Sequence, residues 1–419
     1  MQHVTQVEIL KLLISRIDSK TTEDAGQILA MPASSYTDES LAANEWHAMF
    51  QRHPQILGMS GELPSPGSYF TNNDLGMSIL ATRDNDGKFH AFINACRHRG
   101  AQLTDACRGS KTRLVCPFHA WTYGLDGRLS GVRHNELFGD VSKAQLNLIE
   151  LPSQEKYGFL VVHPQVDASV DIDELLGAEL AQEIAGWGFD KSEFEADSTI
   201  DMPLNWKLAN DTFGEVYHFS VLHRNTLALL LHGDFAVARR YGRNHLLCVA
   251  TKYLDTMRHR PEEEWNLPFG VFMSYFLFPN VQLVFVSGMV TMVRIYPDPA
   301  NVGRSISRIS HYSIPHIRGQ LSVNEVASKI TDDNVYQADV SKRLELDVTA
   351  ALELFTRAVE KEDYVMGANA QVTASSGKFD QFLFGRNEPT LQHFHNEYRS
   401  FLGLPPLEVY QSEEGKVGT

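Results

Sequence analysis

The stretch ACRHRGAQLTDACRGSKTRLVCPFHAWTYG, Ala95 to Gly124, decides how the rest of this 419-residue chain is read. It holds Cys96-x-His98, then 17 residues, then Cys116-x-x-His119. Each pair follows a short run of strand-forming residues, so two loops can each bring one thiol and one imidazole to a common place. Two cysteines and two histidines suit a tetrahedral structural zinc site. A zinc finger, however, sets its histidines together on a helix after a cysteine pair, and here each half supplies one of each type.

Outward from this stretch the pattern is one of short strands and tight turns. MSILATRD and KFHAFINA flank Asn85-Asp86-Gly87, AWTYGL and RLSGV flank Asp126-Gly127, and KYGFLVVHP reads as a closing strand. Residues 51–165 are therefore expected to form a small all-β domain. Ahead of it, Val4, Val7, Leu10, Leu13, Ile14 and Ile17 recur at helical spacing, and Thr37-Asp38-Glu39 supplies a cap for a helix through Trp46 and Phe50. Residues 1–50 are read as helices that pack on the C-terminal domain.

Residues 166–419 open with a helical stretch, Ile172 to Trp187, a strand around Thr199 to Met202, and a helix carrying NWKLANDTFGEVYHFSVLH. Long apolar runs follow (HLLCVATKYL, FMSYFLFPN, VQLVFVS, MVTMVRIYP, ISRISHYSIP), then a helical block from Val323 to about Ala370 and an acidic tail, QSEEGKVGT. Strands and helices in segregated runs predict an α+β domain with a large antiparallel sheet.

Composition narrows the function classes. The 52 acidic and 37 basic residues give a net charge of −15, which disfavours nucleic-acid and anionic-membrane partners. MQHVTQVEILKLLISRIDSK lacks a basic n-region and a cleavage site, and no run approaches the ~20 apolar residues of a membrane span, so a cytoplasmic protein is expected. Four cysteines, three of them within 21 positions, are too few for a disulfide scaffold and suggest a metal or redox site.

The mixed pairing in the first motif suits a two-iron cluster, in which one iron takes two thiolates and the other two imidazoles. With Arg97, Arg99-Gly100, Pro117 and Trp121-x-Tyr123-Gly124 around it, the motif resembles the Rieske [2Fe–2S] family in its oxygenase branch. Respiratory Rieske proteins carry an extra cysteine in each loop. Here Gly100-Ala101 follow the first pair and Phe118 stands before His119, so Cys107 and Cys248 are read as packed thiols.

The second motif is Asp211-x3-Glu215-x2-His218-x4-His223. Glu215 and His218 are helical neighbours, but His218 and His223 stand about 140° apart on an ideal helix, so a shared metal requires the helix to end or distort near Phe219 to Leu222. With Asn205-Trp206-Lys207 as its lead-in, the stretch resembles the mononuclear-iron motif of Rieske non-heme iron oxygenases, and the likeness runs through the chain in domain order. It implies a helix-grip type catalytic fold in which His218 and His223 hold Fe(II) with an aspartate from a C-terminal helix. Glu362-Asp363 offers that aspartate as Asp363, with Glu362 the nearest rival and Glu345, Asp347 and Glu360 read as helix-surface acids.

By the same resemblance, Glu215 stands where the family commonly has aspartate and bridges His119 of one subunit to His218 of its neighbour. Some members acting on quaternary amines also carry glutamate there. Asp211 is read either as a support for the ligands or as a helix-surface acid.

The resemblance implies the large, alpha subunit of a terminal oxygenase with one [2Fe–2S] cluster and one Fe(II) per chain. Electrons would come from a separate NAD(P)H-dependent reductase, directly or through a ferredoxin, since the chain shows no GxGxxG motif. A homotrimer is implied, with an accessory beta subunit left open. Hydroxylation of an aromatic substrate is the family default. Oxidative demethylation or hydroxylation of a non-aromatic substrate such as a quaternary amine is the alternative, with an electron carrier lacking catalytic iron and a structural zinc protein as readings of other classes.

Overall fold

The computed structural model describes residues 1–139, 141–286, 289–315 and 355–411. The expected helical block ahead of Phe355, with Glu345 and Asp347, and the tail beyond Gln411 lie outside the described residues. The chain divides into two compact units, one of Glu45–Phe194 and one of Met1–Asn44 with Glu195–Thr419. Residues 45–50 and 166–194 thus belong to the β-rich unit, not to the flanking regions to which their sequence assigned them. The reason is packing: Phe189 meets Phe159 of the closing strand with ring centroids 5.7 Å apart. Gly158, in the left-handed region at φ 82°, lies so close to the Phe189 backbone that a Cβ would stand 2.2 Å from its carbonyl carbon.

Three small sheets build the β unit. The largest runs Glu150–Leu151, Phe89–Ile93, Ile79–Arg83, Ser68–Asn72, Arg108–Ser110, and a second places Phe159–Val162 between Ser153–Lys156 and Gln55–Met59. Ala81 pairs with Ala91 across the hairpin, and Gly87 supplies the positive φ of its turn. The third sheet, Leu114–Val115, Thr122–Tyr123 and Leu129–Gly131, carries the second Cys-His loop.

In the other unit a seven-stranded sheet runs in the order Glu193–Met202, Asn301–Ser313, Met289–Asp298, Val281–Val286, Val271–Leu277, Asn244–Thr251, Leu231–Tyr241. Apart from the first strand this is a meander of neighbours, as its long apolar runs and short turns dictate. Leu247, Ser274, Val284, Thr291 and His311 lie opposite one another across five strands, so they share one face. On that face Ser307 Oγ lies 2.7 Å from Tyr364 Oη, which ties the sheet to the helix Tyr364–Ser375. The N-terminal helix His3–Ser19 buries Val7, Ile9, Leu10 and Leu13, while Val4 stays exposed.

Candidate metal centres

The two Cys-His loops repeat one backbone design. Cys96 N–H donates to Ala101 O at 2.8 Å and its carbonyl accepts from Gly100 N–H at 2.8 Å. In the second loop Cys116 N–H donates to Trp121 O at 2.8 Å and its carbonyl accepts from Ala120 N–H at 3.0 Å. The fourth residue after each cysteine is left-handed, Gly100 at φ 73° and Ala120 at φ 59°. Each loop therefore curls round its own cysteine before any metal is considered.

Cys96 and Cys116 are buried, unpaired and adjacent, and burial followed by the neighbouring Cys116 thiol pushes the Cys96 thiol up, against the opposing pull of the Tyr123 hydroxyl and the His98 N–H. The Tyr123 hydroxyl accepts from Arg97 N–H at 3.0 Å and lies 3.4 Å from Cys96 Sγ, so it donates to the sulfur. The His98 and His119 rings meet at 4.6 Å, with Trp121 stacked on His98 at 5.0 Å. His98 Nδ1 is buried without a hydrogen-bond partner, the mark of a donor set aimed at something else.

A single zinc would need three or more of these donor atoms to converge. Among the described residues only His218, His223 and Asp363 do so, with ligand atoms within 4.8 Å of one another. Two thiols and two imidazoles grouped as separate pairs fit a [2Fe–2S] cluster instead. Cys107 is exposed, not packed as its sequence suggested, and Cys248 is buried.

The second motif does not lie on one helix. The helix Trp206–Asp211, capped by Asn205 Oδ1 on Lys207 N–H, ends before Glu215. Gly214, just past the helix end, packs against Leu391: a Cβ there would stand 2.4 Å from Leu391 Cδ2, so a larger residue would require that side chain to move. Successive turns follow, closed by Leu222 N–H to His218 O at 2.8 Å and Ala228 N–H to His223 O at 3.0 Å. They bring the two imidazoles to 5.0 Å between centroids despite their five-residue separation.

Asp363 ends a π-helical turn, Val359–Asp363, of the kind often found at functional sites. Its Oδ1 is 3.1 Å from His223 Nε2 and 3.3 Å from His218 Nε2. His218 Nε2 is buried and makes no aligned hydrogen bond, so a metal is the partner that would satisfy it. Donor atoms bound at ~2.1 Å to one ion stand roughly 3–4 Å apart, which this trio approaches. Both Nδ1 atoms face glutamates: His218 pairs with Glu215, and His223 lies 2.6 Å from Glu362 Oε2.

Charge follows from these contacts. Burial draws His218 down, but Asp363 and Glu215 outweigh it and raise the imidazole to about 10 in the metal-free site. Burial pushes Asp363 up, yet the two histidines hold its carboxyl below the usual range. Glu388, beside the helix Pro389–Phe401, is raised to about 7 first by burial and then by Glu215 and Asp211, against the pull of Gly385 N–H.

Asp211 is engaged elsewhere. Its oxygens accept from Tyr36 Oη and His395 Nε2, each at 2.8 Å, which ties the short helix to the N-terminal segment and the C-terminal helix. Tyr36 and His395 were not legible as site residues because their partner Asp211 is remote in sequence.

Beside the trio lies a small cavity of ≈ 30 Å³, lined by Phe213, Phe219, Phe272 and Phe355 among others. Leu227 lines it as well. Phe276, in contrast, packs on Phe394 at 5.0 Å.

Residues 53–141 match the Rieske [2Fe-2S] domain, and residues 189–404, more than half of the chain, match the ring hydroxylating alpha subunit (catalytic domain). The chain belongs to the ring-hydroxylating alpha-subunit family of Rieske oxygenases. Among its Rieske oxygenase relatives, the glycine betaine monooxygenase oxygenase subunit of Chromohalobacter salexigens is 33% identical over 205 residues, 49% of this chain and 45% of that one. The carnitine monooxygenase oxygenase subunit of Acinetobacter baumannii is 31% identical over 193 residues, 46% of this chain and 52% of that one. The matches thus span about half the length of these curated relatives.

The quaternary ammonium Rieske monooxygenase CntA in complex with L-carnitine superposes with a TM-score of 0.69 at 19% identity, over 90% of this chain and 96% of that one. Naphthalene 1,2-dioxygenase from Rhodococcus sp. gives 0.68 at 17%, over 94% and 98%. At such identities the likeness is one of fold, and it extends over both domains. Among the described residues no helix is long and apolar enough to cross a membrane.

Proposed function

We propose that this chain is the terminal oxygenase component of a Rieske monooxygenase that oxidises a methylated, quaternary amine. The observation that carries the reaction class is the convergence of His218, His223 and Asp363 beside an aromatic-lined cleft, in a chain that also holds a separate pair of Cys-His loops. The substrate class rests on the relatives, which are named for glycine betaine and carnitine. The alternative expectation, a quaternary amine, thus fits these relatives better than hydroxylation of an aromatic substrate. Phenylalanine faces attract a quaternary ammonium by cation–π interaction, and two carboxylates at the cleft add to that attraction.

When bound, the [2Fe–2S] cluster would supply single electrons and Fe(II) would supply dioxygen activation. His218 and His223 present Nε2, each held by a glutamate on Nδ1. Asp363, ionised between them, balances charge, and the four phenylalanines exclude water and set the methyl group's orientation. In a ring of three subunits Glu215, already paired with His218, would accept from His119 of the partner subunit. Glutamate keeps both carboxylate oxygens of aspartate; here each already accepts once from His218, and each has a further lone pair for such a donor.

Electrons would arrive from a separate NAD(P)H-dependent reductase, directly or through a ferredoxin, in the cytoplasm. The balance is R–CH3 + O2 + NAD(P)H + H+ giving R–CH2OH + H2O + NAD(P)+, and a hydroxymethyl on nitrogen then releases formaldehyde. With a reconstituted reductase, dioxygen uptake matched by product from glycine betaine, carnitine or choline is the expected result. Coupled turnover of aromatic hydrocarbons alone would overturn the substrate class.

A further inference from the structure

Glu362 is the residue of this site for which the reaction class supplies no role. It directly precedes Asp363, and both belong to the π-helical turn Val359–Asp363. Glu362 Oε2 lies 2.6 Å from His223 Nδ1 while Asp363 Oδ1 lies 3.1 Å from His223 Nε2, so two successive carboxylates grip both nitrogens of one imidazole. The ring between them is 1% exposed.

Thr226 completes the arrangement. Its Oγ1 donates to the same Glu362 Oε2 at 3.0 Å and lies 3.3 Å from His223 O. The carboxylate oxygen is thereby fixed by two donors, one on the loop that carries His223 and one on the ring itself. A neutral imidazole has one N–H and one lone pair, and an acceptor on Nδ1 assigns the proton there and leaves the lone pair on Nε2. An anionic acceptor also raises the basicity of that lone pair.

We infer that Glu362 and Thr226 form a positioning pair that fixes the tautomer and orientation of His223, presenting its Nε2 to the metal. This rests on the mononuclear-iron reading of the site. Glu215 makes the matching contact to His218 and also accepts from that residue's N–H at 3.2 Å, while the partners of Glu362, His223 and Thr226, both lie in the catalytic unit. Glu362 therefore acts locally, on metal retention, and leaves the β unit untouched.

The test uses the full chain with its cluster intact. Anaerobic competition against a chromogenic chelator gives the Fe(II) affinity of wild type, Glu362→Gln, Glu362→Ala, Thr226→Val and Asp363→Ala, and Co(II) substitution reports coordination through its visible absorption. Glu362→Ala is expected to weaken Fe(II) binding 10–100-fold and shift the Co(II) bands, as loss of a partner to a ligating histidine does. Glu362→Gln keeps length and one acceptor oxygen, so it recovers most of that loss; Thr226→Val costs a few-fold.

The cluster spectrum stays unchanged throughout. Fe(II) affinity within twofold of wild type and unshifted Co(II) bands in both Glu362 variants overturn the inference. Should Glu362→Ala fail to fold, Thr226→Val decides it by the same twofold criterion. A wild type whose metal affinity does not respond to Asp363→Ala sinks the iron reading itself, and the inference with it.

Discussion

In the β unit the four candidate ligands lie within two dozen positions and are held by two loops whose backbones repeat each other, bond for bond. The catalytic unit gathers its three from a run of turns and from a helix 140 positions downstream, and it orients them with side chains: Glu215, Glu362 and Thr226. The first site is built by local backbone conformation, the second by long-range packing. Damage should spread accordingly, within a loop in one case and across the fold in the other.

The largest expected effect is a double dissociation. Cys116→Ser should remove the visible absorption of the cluster and abolish reductase-driven turnover, while Fe(II) binding at the second site persists. His223→Ala should keep the cluster spectrum and lose product formation to background, a drop of several orders of magnitude since an iron ligand is gone. Absorption spectra and product assays on both variants check this. Loss of both metals in either variant would mean that the two sites do not fold independently.

A smaller effect concerns pH. His218 is raised from 6.5 to about 10 in the metal-free site. Its charged form therefore stabilises that state fully below 6.5, and the contribution is lost as pH climbs through about 10. Iron must displace this proton. Apparent Fe(II) affinity should rise about tenfold per pH unit between 7 and 9, measured by chelator competition, as expected for one proton released on binding. A flat profile would place the proton elsewhere.

The smallest effect tests the backbone argument in the first site. A Cβ at Gly100 would meet no atom within 4 Å, so Gly100→Ala isolates the conformational cost of its φ of 73°. The thermal midpoint of the β unit should fall by the equivalent of about 1 kcal/mol, the left-handed penalty of an L-residue. Ala120, at φ 59° in the other loop, already carries that penalty, and Ala120→Gly should shift the midpoint the opposite way.

This contrast also explains what could be read without coordinates. Cys96, His98, Cys116 and His119 announce themselves through spacing and flanking turns, because a site made by local backbone leaves its pattern in local sequence. His218 and His223 were visible, but their 140° separation on a helix was an obstacle until the helix was found to end at Asp211, before either histidine. Asp363 rested on resemblance. Glu362 looked like a rival ligand, yet its carboxylate reaches Nδ1, the far side of His223. Asp211, expected near the metal or at the surface, is held by Tyr36 and His395. The strand Leu231–Tyr241 was missed because Asp234, Arg239 and Arg240 break the apolar run.

The central claim is that one chain carries two separate iron centres, and the most direct test is the ratio of iron to acid-labile sulfide per chain after anaerobic loading. The account predicts about three irons to two sulfides in the wild type, falling to about two and two in His223→Ala. Two irons to two sulfides in both proteins would contradict it, leaving a Rieske electron carrier without a catalytic metal.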